Sequence, residues 1–394
     1  MGLLEGIKVV DFTTYIAGSC CTRVLAEWKA EVIKIEPLRG EPFRIWGRTL
    51  GAPIMPEENP MFEVGNANKK GIALNVKTDE GQAILHRLLS EADVFVSNYR
   101  IQALENLGLT YEELSLRYPR LVYAFLNGYG SKGELAFDPG FDVISFWARG
   151  GLLGYLGEPD APPVAALPAG GDVITGTYLA GGIMAALYGR EQTGKGQKVE
   201  TSLYNGAIWS SGLYIASRNY NEDRKATRRS PCSPFENSYL SADGQWFVMS
   251  ATDPDEWPAI CGSIGLSDLK KDERAEDLTA VLDRAFGSMK MSEIEACLNE
   301  AGCVYSKIFD AHDVNRDEQA VDNDYLKYVT MPNGNTVPLP TPPCSFEGEG
   351  RLPWKHAPQV GEDTEEILSG LDYSAEDIRD LNERGIIFCG KSGQ

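Results

Sequence analysis

Short apolar runs alternate with stretches of helical spacing through the first half of the chain. Ile7–Phe12 (IKVVDF) is apolar and short enough for a buried strand. A loop with Gly18 follows, then CTRVLAEWKA with helical periodicity, then a second strand, EVIKI, over Glu31–Ile35. Ile84, Leu85, Leu88 and Leu89 recur at the spacing of one helix face, and a strand-like DVFVSN ends at Asn98. Thr110 and Glu113 stand at capping-box spacing and open another helix, after which LVYAFL reads as a strand. Strands alternating with helices of this length predict βαβ units, hence an α/β fold with a mostly parallel sheet covered on both faces. Ligands of such sheets sit outside the carboxyl ends of the strands.

The pattern changes after about residue 220. NEDRKATRRSPCSP is charged and proline-containing, as a linker is, and NSYLSADGQWFVMSA reads as a hairpin turning at Asp243-Gly244. Helical stretches EDLTAVLDRAF and SEIEACLNEAG and a strand-like CVYSKIF complete a smaller α+β domain. A second hairpin, LKYVTMPNGNTVPLP, turns at Asn333-Gly334, and Ser374 and Asp377 stand at capping-box spacing before the last helix. These changes divide the chain into a large domain over 1–220, a small domain with its linker over 221–325, and a return segment over 326–394.

Composition narrows the function. The 394 residues carry a net charge of −20, which repels nucleic acid and anionic membranes, so an anionic ligand would need local positive groups. The start, MGLLEGIKVVDF, lacks the features of a signal peptide, and the longest near-apolar run, Gly176–Gly189, is too short to span a bilayer. Eight scattered cysteines without zinc or CxxC spacing fit a reduced cytoplasm.

Candidate chemistry is sparse. The three histidines, His86, His312 and His356, lie in settings that favour structural or solvated roles, which disfavours Ser-His-Asp, Cys-His and histidine-metal chemistry. TTYIAGS lacks the GxGxxG dinucleotide fingerprint. The informative segment is Leu167–Gly206, where two glycines precede Asp172 and a small-residue helix follows it, closing near Gly189. Asp172 reads equally as an N-cap or as a nucleophile kept ionised by the helix dipole, with flanking glycines admitting a bulky thioester and spare N–H groups holding an oxyanion.

The chain resembles the class III CoA-transferases, the group of formyl-CoA transferase and carnitine CoA-transferase. The likeness runs through LEGIKVVDFTTYIAG, AEVIKIEPLRG, NANKKGIALNVKTDEG, GYGSKG, PGFDVISFWARGG, AGGDVITGTYLAGGIMAALYGREQTGKGQKVETSLY and APQVGEDTEEILSGLDYSAEDIRDLNERGII. The resemblance implies an interlocked homodimer with a Rossmann-like large domain, and it places the nucleophile on Asp172. It implies CoA contacts at Ile16 and Ala17, at Leu74, Asn75, Val76 and Lys77, and at Asn98 and Tyr99. Two departures follow. Pro37 stands where the family has arginine, with Arg39 two residues on, and Asn106 stands at a basic position that Arg100 can replace. The glycine-rich loop of formyl-CoA transferase is also missing.

The implied chemistry passes CoA through aspartyl anhydrides and an aspartyl-CoA thioester, with CoA as substrate and no permanent cofactor, metal or ATP. A likeness in NANKK, PGFD and FWARGG to the aryl-lactate branch of amino-acid-fermenting anaerobes implies an acceptor such as phenyllactate or 2-hydroxyisocaproate. A carnitine-like or dicarboxylic acceptor stays open. Two rivals are a 2-methylacyl-CoA racemase, which has a histidine where this chain has Phe141, and a non-catalytic acyl-CoA binding protein.

Overall fold

The computed structural model describes residues 2–220, 227–267 and 275–390. Residues 221–226 of the expected linker lie outside them. Among the described residues the strands are β1 (Lys8–Phe12), β2 (Glu31–Glu36), β3 (Lys70–Leu74), β4 (Val94–Ser97), β5 (Val122–Asn127), β6 (Lys198–Ser202), β7 (Glu236–Leu240), β8 (Trp246–Ser250), β9 (Val304–Lys307), β10 (Leu326–Thr330), β11 (Thr336–Pro340) and β12 (Ile387–Phe388).

The large sheet runs β12-β3-β2-β1-β4-β5-β6. β1 to β6 are parallel, and β12 pairs antiparallel with β3 at one edge. Successive residues of one strand serve opposite cores, which is why the strands read as unbroken apolar runs. Val10, Phe12, Phe95 and Phe125 pack with Ile84, Leu85, Leu88 and Leu89 of the helix Asp79–Glu91. Val9, Val94, Val96 and Ala124 pack with Val24 and Leu25 of the helix Ala17–Glu27, and with Leu179, Ile183 and Leu187 of the helix Gly170–Thr193.

The chain divides into two compact units, one of Met1–Leu152, Ala166–Ile215 and Gln319–Gln394, the other of Leu153–Ala165 and Ala216–Glu318. The boundaries expected from sequence differ: they place residues 153–165 in the first domain and begin the return at 326. In the second unit β7, β8 and β9 form an antiparallel sheet. One face of that sheet buries Tyr239, Phe247 and Met249 against Leu282, Phe286, Ile294 and Leu298 of two helices. Both hairpins turn at the expected glycines, with Gly244 at φ +83 and Gly334 at φ +90.

Candidate active site

The parallel strands deliver their carboxyl ends to one edge. From β1 the chain moves through β2 and β3 on one side and then returns to β4 on the other, so the loops after β1 and β4 diverge and leave a crevice. A cavity of about 790 Å³ occupies it, lined by Tyr15, Ile16 and Ala17 after β1, Asn98, Tyr99 and Arg100 after β4, Asn127 at the end of β5, and Asp172. All lie in the first unit.

Asp172 is not the N-cap that its residue type suggested. The helix runs Gly170–Thr193 with Ala169 at the cap position, which puts Asp172 in the third helical position, and it continues past Gly189 to Thr193. The capping function falls to Asp142, whose Oδ1 accepts from the Asp172 N–H at 2.9 Å. Trp147 Nε1 donates to its Oδ2 at 3.0 Å, and the backbone at Ala169 and Gly171 also favours its charged form. The Gly170 and Val173 N–H groups go to Leu167 and Ala169 carbonyls. Three of the N–H groups at the start of this helix are thus taken up within the protein. In contrast, the helix Ala17–Glu27, whose first residue lines the cavity, starts without a capping side chain.

The helix position does not hold the Asp172 carboxyl in the ordinary carboxylate range. Burial raises its carboxyl, and the neighbouring Asp142 carboxylate raises it further, to about 7. Asp142 is itself raised by burial, against the lowering effect of the hydrogen bonds it accepts. Close protein packing by itself requires glycine at two positions of this helix. A Cβ on Gly171 would lie 2.2 Å from the Phe146 ring and 2.6 Å from Asp142 Oδ1, and one on Gly176 would lie 2.3 Å from the Ala17 carbonyl oxygen. Gly176 thus lets the Asp172 helix touch the first helix, one turn beyond Asp172.

A carboxylate poised near neutrality on the wall of an apolar cavity, at the switch point of a parallel sheet, suits attack on a bound acyl group. Residues 4–364 match CoA-transferase family III. The chain is 39% identical to the (R)-2-hydroxy-4-methylpentanoate CoA-transferase of Clostridioides difficile, with 98% of this chain and 99% of that one covered. It is 34% identical to the cinnamoyl-CoA:phenyllactate CoA-transferase of Clostridium sporogenes, with 97% and 96% covered. A solved CAIB/BAIF family protein from Brucella suis matches at a TM-score of 0.82 and 26% identity, over 94% of this chain and 100% of that one. The chain belongs to CoA-transferase family III.

The residues expected to meet CoA in this class III CoA-transferase separate into two groups. Ile16, Ala17, Asn98, Tyr99 and Arg100 share the cavity with Asp172. Two of their side chains are committed elsewhere. Asn98 clamps Thr14, accepting from its N–H at 2.9 Å and donating to its carbonyl at 2.6 Å, while Tyr99 stacks on Phe12 at 4.5 Å. Arg39, Leu74, Asn75, Val76 and Lys77 do not line the cavity; they follow or end β2 and β3 at the same sheet edge. Leu74 is buried in the core, and Asn75 accepts from the Lys77 N–H at 3.3 Å. Arg39, Lys77 and Arg100 are exposed, and none forms an ion pair within the described residues.

Three residues of the site stand outside the set expected from sequence. Asp142 is one, although the PGFDV motif contains it, and Tyr15 is another. The third is Glu41, which sits beneath the β1 loop. Phe141 lines the cavity and has no proton to exchange, so the racemase role of a histidine there has no counterpart.

Proposed function

We propose that this class III CoA-transferase moves CoA from an acyl-CoA to a 2-hydroxy monocarboxylic acid with an apolar side chain, such as 2-hydroxyisocaproate or phenyllactate. Asp172 is the nucleophile of this reading. The observation that carries it is a carboxyl raised to about 7 on the wall of a cavity at the sheet's switch point. The named activities of the two relatives supply the substrate class.

In the proposed cycle the ionised Asp172 adds to the thioester carbonyl, the C–S bond breaks, and CoA leaves as thiolate, giving an aspartyl–acyl anhydride. The thiolate then attacks the aspartyl carbonyl, releasing the donor acid and leaving an aspartyl-CoA thioester. The acceptor carboxylate displaces the thiolate to form a second anhydride. CoA captures the new acyl group and frees Asp172. The uncapped start of the helix Ala17–Glu27 is our candidate for the N–H groups that hold the oxyanions. Apolar walls keep water from the anhydrides.

Arg39, Lys77 and Arg100 are our candidates for the CoA phosphates, since all three are exposed cations outside the ion pairs of the described residues and follow β2, β3 and β4 of one parallel sheet in a chain carrying −20. We assign the chain to a homodimer, supported by exposed apolar side chains on three helices, including Tyr178, Trp209 and Leu213. Eight unpaired cysteines support a reduced cytoplasmic setting. No helix of the described residues is long and apolar enough to cross a membrane.

A screen of acceptor acids against several acyl-CoA donors, read by mass spectrometry, tests the substrate class. The expected result is transfer to 2-hydroxyisocaproate and phenyllactate ahead of glutarate and oxalate. Transfer to dicarboxylates alone would contradict it.

A further inference from the structure

Tyr15 adopts φ +58, a left-handed conformation that bulky residues avoid unless their surroundings fix it. Here they do. The Glu41 carboxylate accepts from the Tyr15 N–H at 2.6 Å and from the Thr14 hydroxyl at 2.9 Å. Asn98 fixes both backbone groups of Thr14. Glu41 is buried and paired in turn with the buried Lys34, Nζ to Oε1 at 2.6 Å.

What this anchoring secures is the direction of one ring. The Tyr15 ring stands edge-on to Phe141, with centroids 5.9 Å apart and planes at 85°. Both rings line the cavity that holds Asp172. Phe141 precedes Asp142, which bonds the Asp172 N–H, and Tyr15 precedes Ile16, which packs in one cluster with Cys20 and Ala169. The two rings therefore share one cavity with the nucleophile. The charged residues on the cavity wall are Arg100 against Asp138, Asp142 and Asp172, a poor setting for a second substrate carboxylate.

We infer that Tyr15 and Phe141 form an aromatic slot for the side chain of the acid joined to Asp172, and that Glu41 is the positioning residue that aims Tyr15. The slot selects aryl and branched-alkyl acids over small or doubly charged ones, because ring faces and edges reward flat or bulky apolar groups. The inference rests on the CoA-transferase reading and adds to it the residues that choose the acid.

The test compares phenyllactate with lactate, two 2-hydroxy acids that differ in the side chain alone, using the full-length enzyme and one acyl-CoA donor. Wild type and Tyr15→Phe should favour phenyllactate. Tyr15→Gly removes the ring and relieves the left-handed backbone, so it should stay folded while the phenyllactate-to-lactate ratio of kcat/KM falls by about tenfold or more. Glu41→Ala should lower the same ratio, and Glu41→Gln, which keeps an acceptor for the Tyr15 N–H, should recover it. An unchanged ratio in folded Tyr15→Gly, or equal losses for both acids, would overturn the slot. A wild-type enzyme that transfers CoA to neither these acids nor any other would defeat the transferase reading itself, before any variant is compared.

Discussion

A carboxylate attacks a thioester only when ionised, and Asp172 is held near its midpoint at neutral pH by burial and by Asp142. In the CoA-free enzyme kcat/KM should therefore rise roughly tenfold per pH unit below about 7 and level off above it. Asp142→Asn removes the like charge that raises Asp172, so the rising limb should move to lower pH. A pH–rate profile checks this, and an alkaline shift or no shift would contradict the assigned cause. Asp172 is legible in the sequence as a residue between two candidate roles. Asp142 is not, because its bond to Asp172 joins positions 30 residues apart and depends on Gly171 leaving room for it. The buried Lys34 is equally hidden, since nothing in EVIKI marks its lysine as the partner of Glu41.

Elements with local causes are the readable ones. The Thr110–Glu113 and Ser374–Asp377 capping boxes both form with reciprocal bonds, and the strand runs of the parallel sheet fall where their apolar residues put them. The segment Asp142–Ala148 is opaque: it is a π-helix, whose wider turn leaves no spacing pattern to recognise. The loops after β2, β3 and β4 carry Arg39, Lys77 and Arg100. Lys77→Ala or Arg100→Ala should weaken CoA binding by about 1–2 kcal/mol for each phosphate deprived of its cation, and more at low salt than at high. Calorimetric titration with CoA measures it. Unaltered affinity in both variants and in their combination would place the phosphates elsewhere.

At the scale of the whole molecule, the α/β architecture with its large parallel sheet is legible, while apolar surface left open by the chain is not. Trp209 is 77% and Leu213 92% exposed, and in the proposed homodimer the partner covers them. Light scattering of dilute protein should give a dimer that persists on dilution, and a stable monomer would remove that part of the account. The central claim, a CoA-transferase working through Asp172, is tested most directly by steady-state transfer with Asp172→Asn beside wild type. Asparagine keeps the side chain's size and avoids ionising a half-buried acid. The acid's raised value means that its stability contribution is present below the unfolded value near 4 and lost as pH rises through about 7. The variant should therefore be at least as stable as wild type at pH 8 and still bind CoA. Transfer should fall by several orders of magnitude, and hydroxylamine added during turnover should modify Asp172 in wild type alone. A folded, CoA-binding Asp172→Asn protein with near-normal transfer would contradict the account.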